Sequence, residues 1–255
     1  MYRRCLAYAV LAVCSSGVGS VCAQAQPRAI IELFTSQGCS SCPPADKLLG
    51  ELAADPSLVA ISVPIDYWDY LGWKDSLADP RNTARQRAYA HMRGDGKVYT
   101  PQVVVNGSMH VLGSDRAAIE HAIGKSRGKY GAMSLAPVTL TFADGRVTVG
   151  VTNAPVAAAS IGETRATSAE VWVWGLAKAV TVAIGRGENK GREITYHNVV
   201  RRTIKLGEWT GKPGTWSVPL QRVAGDGIDT AAVLVQSGSA DKPKTILGAT
   251  LAAIQ

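Results

Sequence analysis

The residues of this sequence best suited to chemistry are two cysteines, Cys39 and Cys42, in the segment FTSQGCSSCPPAD. Such a pair can form a structural disulfide, bind a metal ion through two thiolates, or exchange disulfides with another molecule. A disulfide that closes a four-residue loop removes only about 2 kcal/mol of chain entropy, less than the roughly 3 kcal/mol of a 15-residue loop. A purely structural bond would stabilise the fold little, which favours a redox role and leaves the other two as alternatives.

The neighbouring residues indicate how the pair could react. A short apolar run, Ala29 to Phe34, predicts a buried strand before the cysteines, and leucines at helical spacing predict a helix from Pro44 to Ala54 after them. Because the N–H groups and the dipole at a helix start stabilise negative charge, the pKa of the Cys39 thiol is expected to fall below its usual value of roughly 8.5. Cys39 is the predicted nucleophile, and Cys42 is the thiol that resolves the mixed disulfide.

The segment YTPQVVVNG places Thr100 and Pro101 directly before another predicted strand, Gln102 to Asn106. An X-Pro bond can be cis at modest cost, and a cis bond here would leave the backbone of Thr100 free to bind an extended substrate. The alternative is an ordinary loop proline at the start of a strand. Thr100 and Pro101 are therefore candidate site residues.

Two aromatic residues, Tyr67 and Trp68, follow the predicted strand Leu58 to Ile65. Open parallel sheets gather their sites at the carboxyl ends of strands, so we expect one of the two to flank the dithiol and contact substrate. The alternative is an aromatic cluster that covers the contact between a helix and the sheet.

A metal site would need a further ligand beside the two thiolates. His110, in the hairpin after Asn106 and Gly107, is the candidate, because the other histidines are isolated and no spacing is diagnostic of a metal. The sequence therefore predicts no cofactor, and a copper or other metal site on Cys39, Cys42 and His110 is the alternative.

Residues 28–128 alternate between strands and helices. Besides the elements above, the pattern predicts a helix from Thr83 to Met92, a strand from Met109 to Leu112 and a last helix capped by Ser114. The order β-α-β-α-β-β-α indicates a parallel strand pair joined by helical crossovers and extended by an antiparallel hairpin. We therefore predict an α/β domain over residues 28–128.

Residues 132–255 contain short strands with turn signals and no predicted helix. About eight strands without a helical interruption predict an all-β, sandwich-like domain. Trp172 and Trp174 share one strand face and are expected in the core of the sandwich. The predicted strands are Val138 to Phe142, Val147 to Val151, Glu170 to Trp174, Val180 to Ile184, Glu193 to Leu206, Thr215 to Leu220, Ala231 to Gln236 and Thr245 to Leu251.

The segment GRGENKGR in this second half resembles a phosphate-binding loop only superficially. Its glycines miss the G-x-G-x-x-G spacing, and no G-K-S or G-K-T follows. We expect a solvated basic hairpin, and docking of an acidic partner is the alternative.

The N-terminus has the pattern of a secretory signal peptide, residues 1–23, with Arg3 and Arg4 before the apolar run Leu6 to Val13. This run is shorter than the roughly 20 residues that span a bilayer, so we expect a periplasmic or secreted protein without a transmembrane segment. Cleavage leaves one cysteine pair in a compartment where disulfides persist. The net charge falls from +7 to +5, a mild value that argues against nucleic-acid binding.

The cysteine pair after the first strand and the Thr-Pro before the third resemble the thioredoxin superfamily in its short, glutaredoxin-like form. The segments ELFTSQGCSSCPPAD, DYWDYLGWKD, TPQVVVNG and GENKGREITYHNVV are similar to a bacterial secreted thioredoxin-like family of unknown function, domain of unknown function 1223. The resemblance implies a thiol–disulfide oxidoreductase with a Cys39–Cys42 disulfide, Pro101 as the cis-proline beside it, and protein thiols or disulfides as partners. A metal-binding protein that uses the same cysteines and a binding module with an inert disulfide are the alternatives.

Overall fold

The computed structural model describes residues 26–130, 136–152, 168–225 and 227–254. The predicted signal peptide, residues 1–23, and the predicted start of the second domain at residue 132 lie outside these ranges. Within them, no helix is long and apolar enough to cross a membrane.

The first half has the predicted order β-α-β-α-β-β-α. Strands β1 and β2 are parallel, β3 pairs antiparallel with the other edge of β1, and β4 forms a hairpin with β3. Asp115, whose side chain accepts the Ala118 N–H at 2.9 Å, caps the last helix in place of the predicted Ser114. The elements are β1 (Ala29–Thr35), α1 (Pro43–Ala53), β2 (Leu58–Pro64), α2 (Pro80–Arg93), β3 (Gln102–Val105), β4 (Met109–Leu112) and α3 (Arg116–Tyr130).

The described residues of the second half form seven strands and one short helix. The prediction of separate strands Glu170 to Trp174 and Val180 to Ile184 is wrong, because one strand runs through both. The elements are β5 (Val138–Ala143), β6 (Arg146–Val151), β7 (Ala169–Ala183), β8 (Glu193–Trp209), β9 (Gly214–Pro219), α4 (Leu220–Val223), β10 (Thr230–Ser239) and β11 (Lys242–Ala253). The middle of β7 has no β-branched residue between Gly175 and Ala179, yet it pairs with β8 across a register shift at Gly175.

Strands of both halves share one mixed sheet with the order β11-β10-β7-β8-β2-β1-β3-β4. The junction is short: β8 runs parallel to β2 where Val199 lies beside Ser62, and Asn198 donates its side-chain N–H to the Ala60 carbonyl at 2.9 Å. Strands β5, β6 and β9 form a second sheet that packs on β7, β10 and β11. The fold is therefore a mixed α/β sheet with a second, β-rich region in which two sheets face each other.

Helices cover both faces of the first half of the sheet. Leu49 of α1 and Ile123 of α3 pack with Ile31 on one face, whereas Tyr89 of α2 packs with Ile30 on the other. Because successive residues of β1 point to opposite faces, this strand is buried on both sides, which explains its continuous apolar run.

Trp172 and Trp174 of β7 face the side of the sheet that carries α2. Trp174 is buried in the same cluster as Tyr89, and Trp172 packs against that cluster. Strand alternation instead directs Val171 and Val173 into the contact between the two sheets. The prediction that the two tryptophans build the sandwich core is therefore wrong.

A buried ion pair joins α2 to the centre of the sheet. Glu32 of β1 is fully buried, and Arg85 of α2 donates to both of its carboxylate oxygens. Tyr89 donates to Glu32 at 2.6 Å, and Gln236 of β10 donates to the Tyr89 hydroxyl at 2.8 Å. Burial raises the pKa of Tyr89 well above its ordinary value, so the phenol remains a donor. The network connects strands from both halves of the chain.

Candidate functional site

Cys39 and Cys42 form a disulfide between β1 and α1, with an S–S distance of 2.17 Å and a Cα–Cα distance of 5.4 Å. Cys42 is the N-cap residue of α1, and its carbonyl accepts the N–H groups of Ala45 and Asp46. The helix begins at Pro43 because proline needs no N–H partner in a first turn. Cys39 therefore lies one turn before the helix, and its exposure of 3% exceeds the 0% of Cys42.

The Thr100–Pro101 peptide bond is cis, and it lies beside the first turn of α1. Gly113 connects the two places: its N–H donates to the Pro101 carbonyl at 3.0 Å. A Cβ atom at Gly113 would lie 3.1 Å from the Pro101 Cβ and 3.3 Å from the Ala45 Cβ. The structure thus brings Pro101 next to the helix that Cys42 caps, and a side chain at position 113 would be crowded by both.

Trp68 connects the residue before Cys39 with the residue before Pro101. Its indole N–H donates to the Thr100 hydroxyl at 2.7 Å. Its carbonyl lies 3.2 Å from the position that a Cβ at Gly38 would occupy. The backbone of Trp68 therefore lies beside the residue before Cys39, while its side chain packs against the core cluster that contains Tyr89 of α2, as the alternative expected.

Tyr67 and Tyr70 lie beside Trp68. The Tyr67 ring lies 5.9 Å from the Trp68 ring, and the exposed Tyr70 ring stacks on Trp68 at 6.2 Å. Burial raises the pKa of Tyr67, whose hydroxyl lies near Gln86 and Thr100. Tyr67 therefore supports the Thr100 side of the site rather than the cysteine side.

The loop that joins β7 to β8, residues 184–192, closes over the cysteine turn. Asn189 is fully buried and donates its side-chain N–H groups to the carbonyls of Gln37 and Cys39, both at 2.9 Å. The carboxylate of Glu188 accepts the Ser40 N–H at 3.3 Å. The expectation that GRGENKGR is only a solvated basic hairpin is therefore wrong.

Two buried carboxyl groups lie behind the cysteine turn. Thr35 donates to one oxygen of Asp46 at 2.7 Å, and the other oxygen has no hydrogen-bond partner in the part of the chain that the structure describes. Burial, reinforced by the charge of Asp75, raises the pKa of Asp46 to about 8. Asp75 accepts the Gln37 N–H at 2.8 Å, and burial also raises its pKa.

His110 has its own partners away from the cysteines. Its Nδ1 lies 2.9 Å from the Tyr99 hydroxyl, and its Nε2 lies 3.0 Å from a carboxylate oxygen of Asp95. Across residues 26–130, 136–152, 168–225 and 227–254, no three His, Cys, Asp or Glu side chains are grouped to hold a metal ion. The structure therefore does not bring His110 together with Cys39 and Cys42.

The chain matches, over residues 30–236, the model of a family described as Protein of unknown function (DUF1223). It belongs to this family. A crystal structure of a family member from Agrobacterium tumefaciens is 33% identical, has a TM-score of 0.74, and covers 90% of this chain and 95% of that one. HBP35 of Porphyromonas gingivalis, with 15% identity, a TM-score of 0.55 and coverage of 90% and 76%, is similar in fold alone. No curated protein matches the chain.

Sequence reasoning missed the polar residues that hold the cysteine turn of this family member. Asn189 lies 150 residues from Cys39, and no local pattern predicts such a contact. The position of Asp46 in the sequence indicates burial only weakly. It is an acidic residue three positions before Leu49, within the apolar stripe of a predicted helix. An acidic side chain at such a position is expected to be buried with a partner or a raised pKa.

Asn189→Ala is expected to lower the free energy of unfolding by about 2 kcal/mol, because two buried carbonyls lose their donor. Urea denaturation of the oxidised protein measures this difference. Lys190→Ala changes an exposed neighbour on the same loop and is expected to stay within about 0.5 kcal/mol of the unmodified protein. Equal stability of the two variants would contradict the docking of the loop on the cysteine turn.

Asp46 is expected to make the protein less stable as pH rises. Its folded pKa of about 8 exceeds the unfolded value near 3.9, so its contribution is complete below about pH 4 and is lost as pH rises through 8. Asp46→Asn removes this dependence, and the variant should gain about 2 kcal/mol relative to the unmodified protein between pH 6 and 8. Urea denaturation at both pH values tests this, with the exposed Asp144→Asn as control. Parallel pH dependence of protein and Asp46→Asn would show that Asp46 ionises freely.

Proposed function

We propose that this protein is an exported, thioredoxin-like thiol–disulfide oxidoreductase that uses the Cys39–Cys42 pair. The observation that carries the proposal is the disulfide at the N-terminus of α1, with the cis Thr100–Pro101 bond beside the same helix turn. A reactive pair needs a partner surface next to it, and an extended substrate backbone can pair beside such a cis-proline segment. The signal peptide predicted from the sequence supports an oxidising, periplasmic or extracellular compartment.

The topology of the first half supports the thioredoxin-like assignment. The strand order β2-β1-β3-β4 contains the parallel pair and the antiparallel hairpin that the sequence predicts. Helices α1 and α3 lie on one face and α2 on the other. The dithiol lies at the carboxyl end of β1, where open sheets with parallel strands hold their sites.

The exchange proceeds through Cys39. A substrate thiolate attacks the Cys39 sulfur, the Cys39–Cys42 bond breaks, and Cys42 leaves as a thiolate that takes up a proton. A second substrate thiolate then attacks the substrate sulfur of the mixed disulfide, and Cys39 leaves with the electron pair. The substrate dithiol is oxidised and the protein dithiol is formed, and the reverse sequence reduces a substrate disulfide. Cys39 is assigned to the mixed disulfide because it is the less buried of the two cysteines.

Thr100, Trp68 and Tyr67 are assigned to substrate contact. The Cβ and carbonyl of Trp68 lie beside Gly38 and its indole N–H donates to Thr100, so a substrate that spans Cys39 and Thr100 would pass this residue. The Tyr67 ring lies next to the Trp68 ring, and its hydroxyl lies near Thr100. The cysteines themselves are assigned the catalytic role, together with Pro101.

An inert structural disulfide in a binding module is the second candidate function. The deep burial of both cysteines and the clasp of Asn189 over the Cys39 carbonyl favour it. The two functions differ in how easily the bond is reduced, because resistant structural disulfides have potentials below about −300 mV.

The reduction potential of the pair decides between these functions. Equilibration of the mature protein with dithiothreitol buffers, followed by alkylation of free thiols and mass measurement, gives the potential directly. We expect a value above about −300 mV, in the range of exchange catalysts. A lower value would assign the pair to structure and end the oxidoreductase proposal. The double variant Cys39→Ser, Cys42→Ser is the control for background alkylation.

A further inference from the structure

A cleft of about 560 Å³ lies between helix α2 and strands β7 and β8. Among the residues that the structure describes, its lining shares none with the dithiol site, and it opens on the sheet face opposite α1 and α3. Pockets that hold small molecules usually measure about 300–1,000 Å³. The cleft therefore has the volume for a small organic ligand.

The lining of this cleft is strongly basic. The described residues around it include five arginines and two aspartates. Arg85 is neutralised by Glu32, and Arg81 pairs with Asp79. These two arginines position side chains of the fold and leave little charge for a ligand.

Among the residues that the structure describes, the other three arginines, Arg87, Arg201 and Arg202, form no ion pair with an acidic side chain. Within the described ranges, Arg202 donates to the backbone carbonyls of residues 221, 222 and 224. Arg201 reaches the Leu77 carbonyl at 3.5 Å, a weak contact, and both Arg201 and Arg87 are exposed. Asp241 is the one carboxylate of the described lining that is not already paired with Arg81. The cleft therefore retains a positive charge that an anion would compensate.

Two tryptophans, Trp172 and Trp174, line the cleft. Trp174 is 3% exposed, and its indole N–H has no hydrogen-bond partner in the described ranges, which leaves a buried donor unsatisfied. The Arg85 guanidinium lies 4.8 Å from the centre of the Trp174 ring and covers it. Trp172 is half-buried in the same lining. Because Arg85 covers the Trp174 ring, the half-buried Trp172 is the aromatic side chain of the lining that a flat apolar ligand can reach.

We propose that this cleft binds a small organic anion, in which a carboxylate or phosphate group contacts Arg87 and Arg201 and a flat apolar body packs on Trp172. Guanidinium groups recognise both kinds of anion through paired hydrogen bonds, and their planar faces stack on aromatic rings. The site is independent of the dithiol chemistry, since no lining residue takes part in it.

Titration of the mature protein with 2-naphthoate and with 2-naphthyl phosphate tests the proposal, observed through the indole N–H resonances of Trp172 and Trp174. We expect saturable shifts of both resonances with at least one probe, and the tighter probe identifies carboxylate or phosphate as the preferred group. The neutral 2-naphthol should bind at least about tenfold more weakly, because it lacks the charge that the arginines recognise.

Single variants locate the site. Arg87→Ala and Arg201→Ala should each lower the affinity for the tighter probe by about tenfold, because each removes one charged contact with the anion. Both residues are exposed, so the fold should tolerate their replacement. Lys125→Ala removes one positive charge from exposed α3 on the opposite face and should leave the affinity unchanged. If the alanine variants lose folded signal, Arg87→Gln and Arg201→Gln replace them.

Three outcomes would overturn the proposal. Equal binding of naphthol and naphthoate would show an apolar site without anion recognition. Equal weakening by Lys125→Ala would show attraction to the overall charge of the protein. Binding of a polyglutamate peptide, with no saturable shift from either naphthyl anion, would assign the cleft to an acidic protein segment.

Discussion

Cys42→Ser is expected to accumulate covalent adducts with exported proteins, whereas Cys39→Ser is expected to form none. In the unmodified protein, Cys42 lies next to the mixed disulfide, with its Cα 5.4 Å from that of Cys39, and resolves it rapidly. Serine has nearly the same size as cysteine but cannot attack a disulfide. The variant therefore retains the nucleophile and loses the exit step, and non-reducing gels of the exported fraction should reveal adducts that reductant releases.

The adduct experiment separates exchange from simple thiol exposure. A Cys39→Ser variant also contains one free thiol, but Cys42 is fully buried and has little access to partner disulfides. The double serine variant controls for adducts that form elsewhere. Equal adduct formation by the two single variants would contradict the assignment of Cys39 as nucleophile, and a complete absence of adducts would favour the inert disulfide.

The first half of the fold could be predicted from the sequence because its signals are local. The apolar run before Cys39 and the leucines after it define a strand and a helix within a few residues of each other. The cysteine pair and the Thr-Pro step are also visible in adjacent residues, although the sequence predicts the disulfide and the cis bond each beside an alternative. Such features need no knowledge of the rest of the protein.

The contacts between the halves could not be predicted in this way. Asn189 reaches the Cys39 carbonyl across 150 residues, and its glycine-rich surroundings have the composition of any exposed turn. Strand alternation correctly places Trp172 and Trp174 on one face, but it cannot say which neighbour covers that face. The answer depends on the position of α2, whose Tyr89 lies in the same buried cluster as Trp174.

The buried ion pair of Glu32 and Arg85 could be predicted from the sequence only in part. A single glutamate in the apolar run of β1 predicts a buried charge that needs a partner, but nothing local identifies Arg85, 53 residues away. The partner follows only once α2 is placed across β1. The sequence therefore indicates the buried charge of Glu32 but does not identify the residue that pairs with it.

Glu32→Leu is expected to lower the free energy of unfolding by about 3–5 kcal/mol, because it leaves the Arg85 guanidinium buried without its counter-charge. Arg85→Met should have a similar cost, since Glu32 is fully buried. The double variant should cost less than either single variant, because both charges leave the interior together. Urea denaturation of the four proteins measures this coupling.

The exposed pair of Arg116 and Glu51 provides the matched control for this cycle. Their side chains are 50% and 52% exposed, so Glu51→Ala should cost no more than about 1 kcal/mol. The contrast isolates burial as the cause of the large effect, because both pairs join a helix to another element through an arginine and a glutamate. If Glu32→Leu costs as little as Glu51→Ala, or if the two single losses add in the double variant, the Glu32–Arg85 pair does not hold α2 on the sheet.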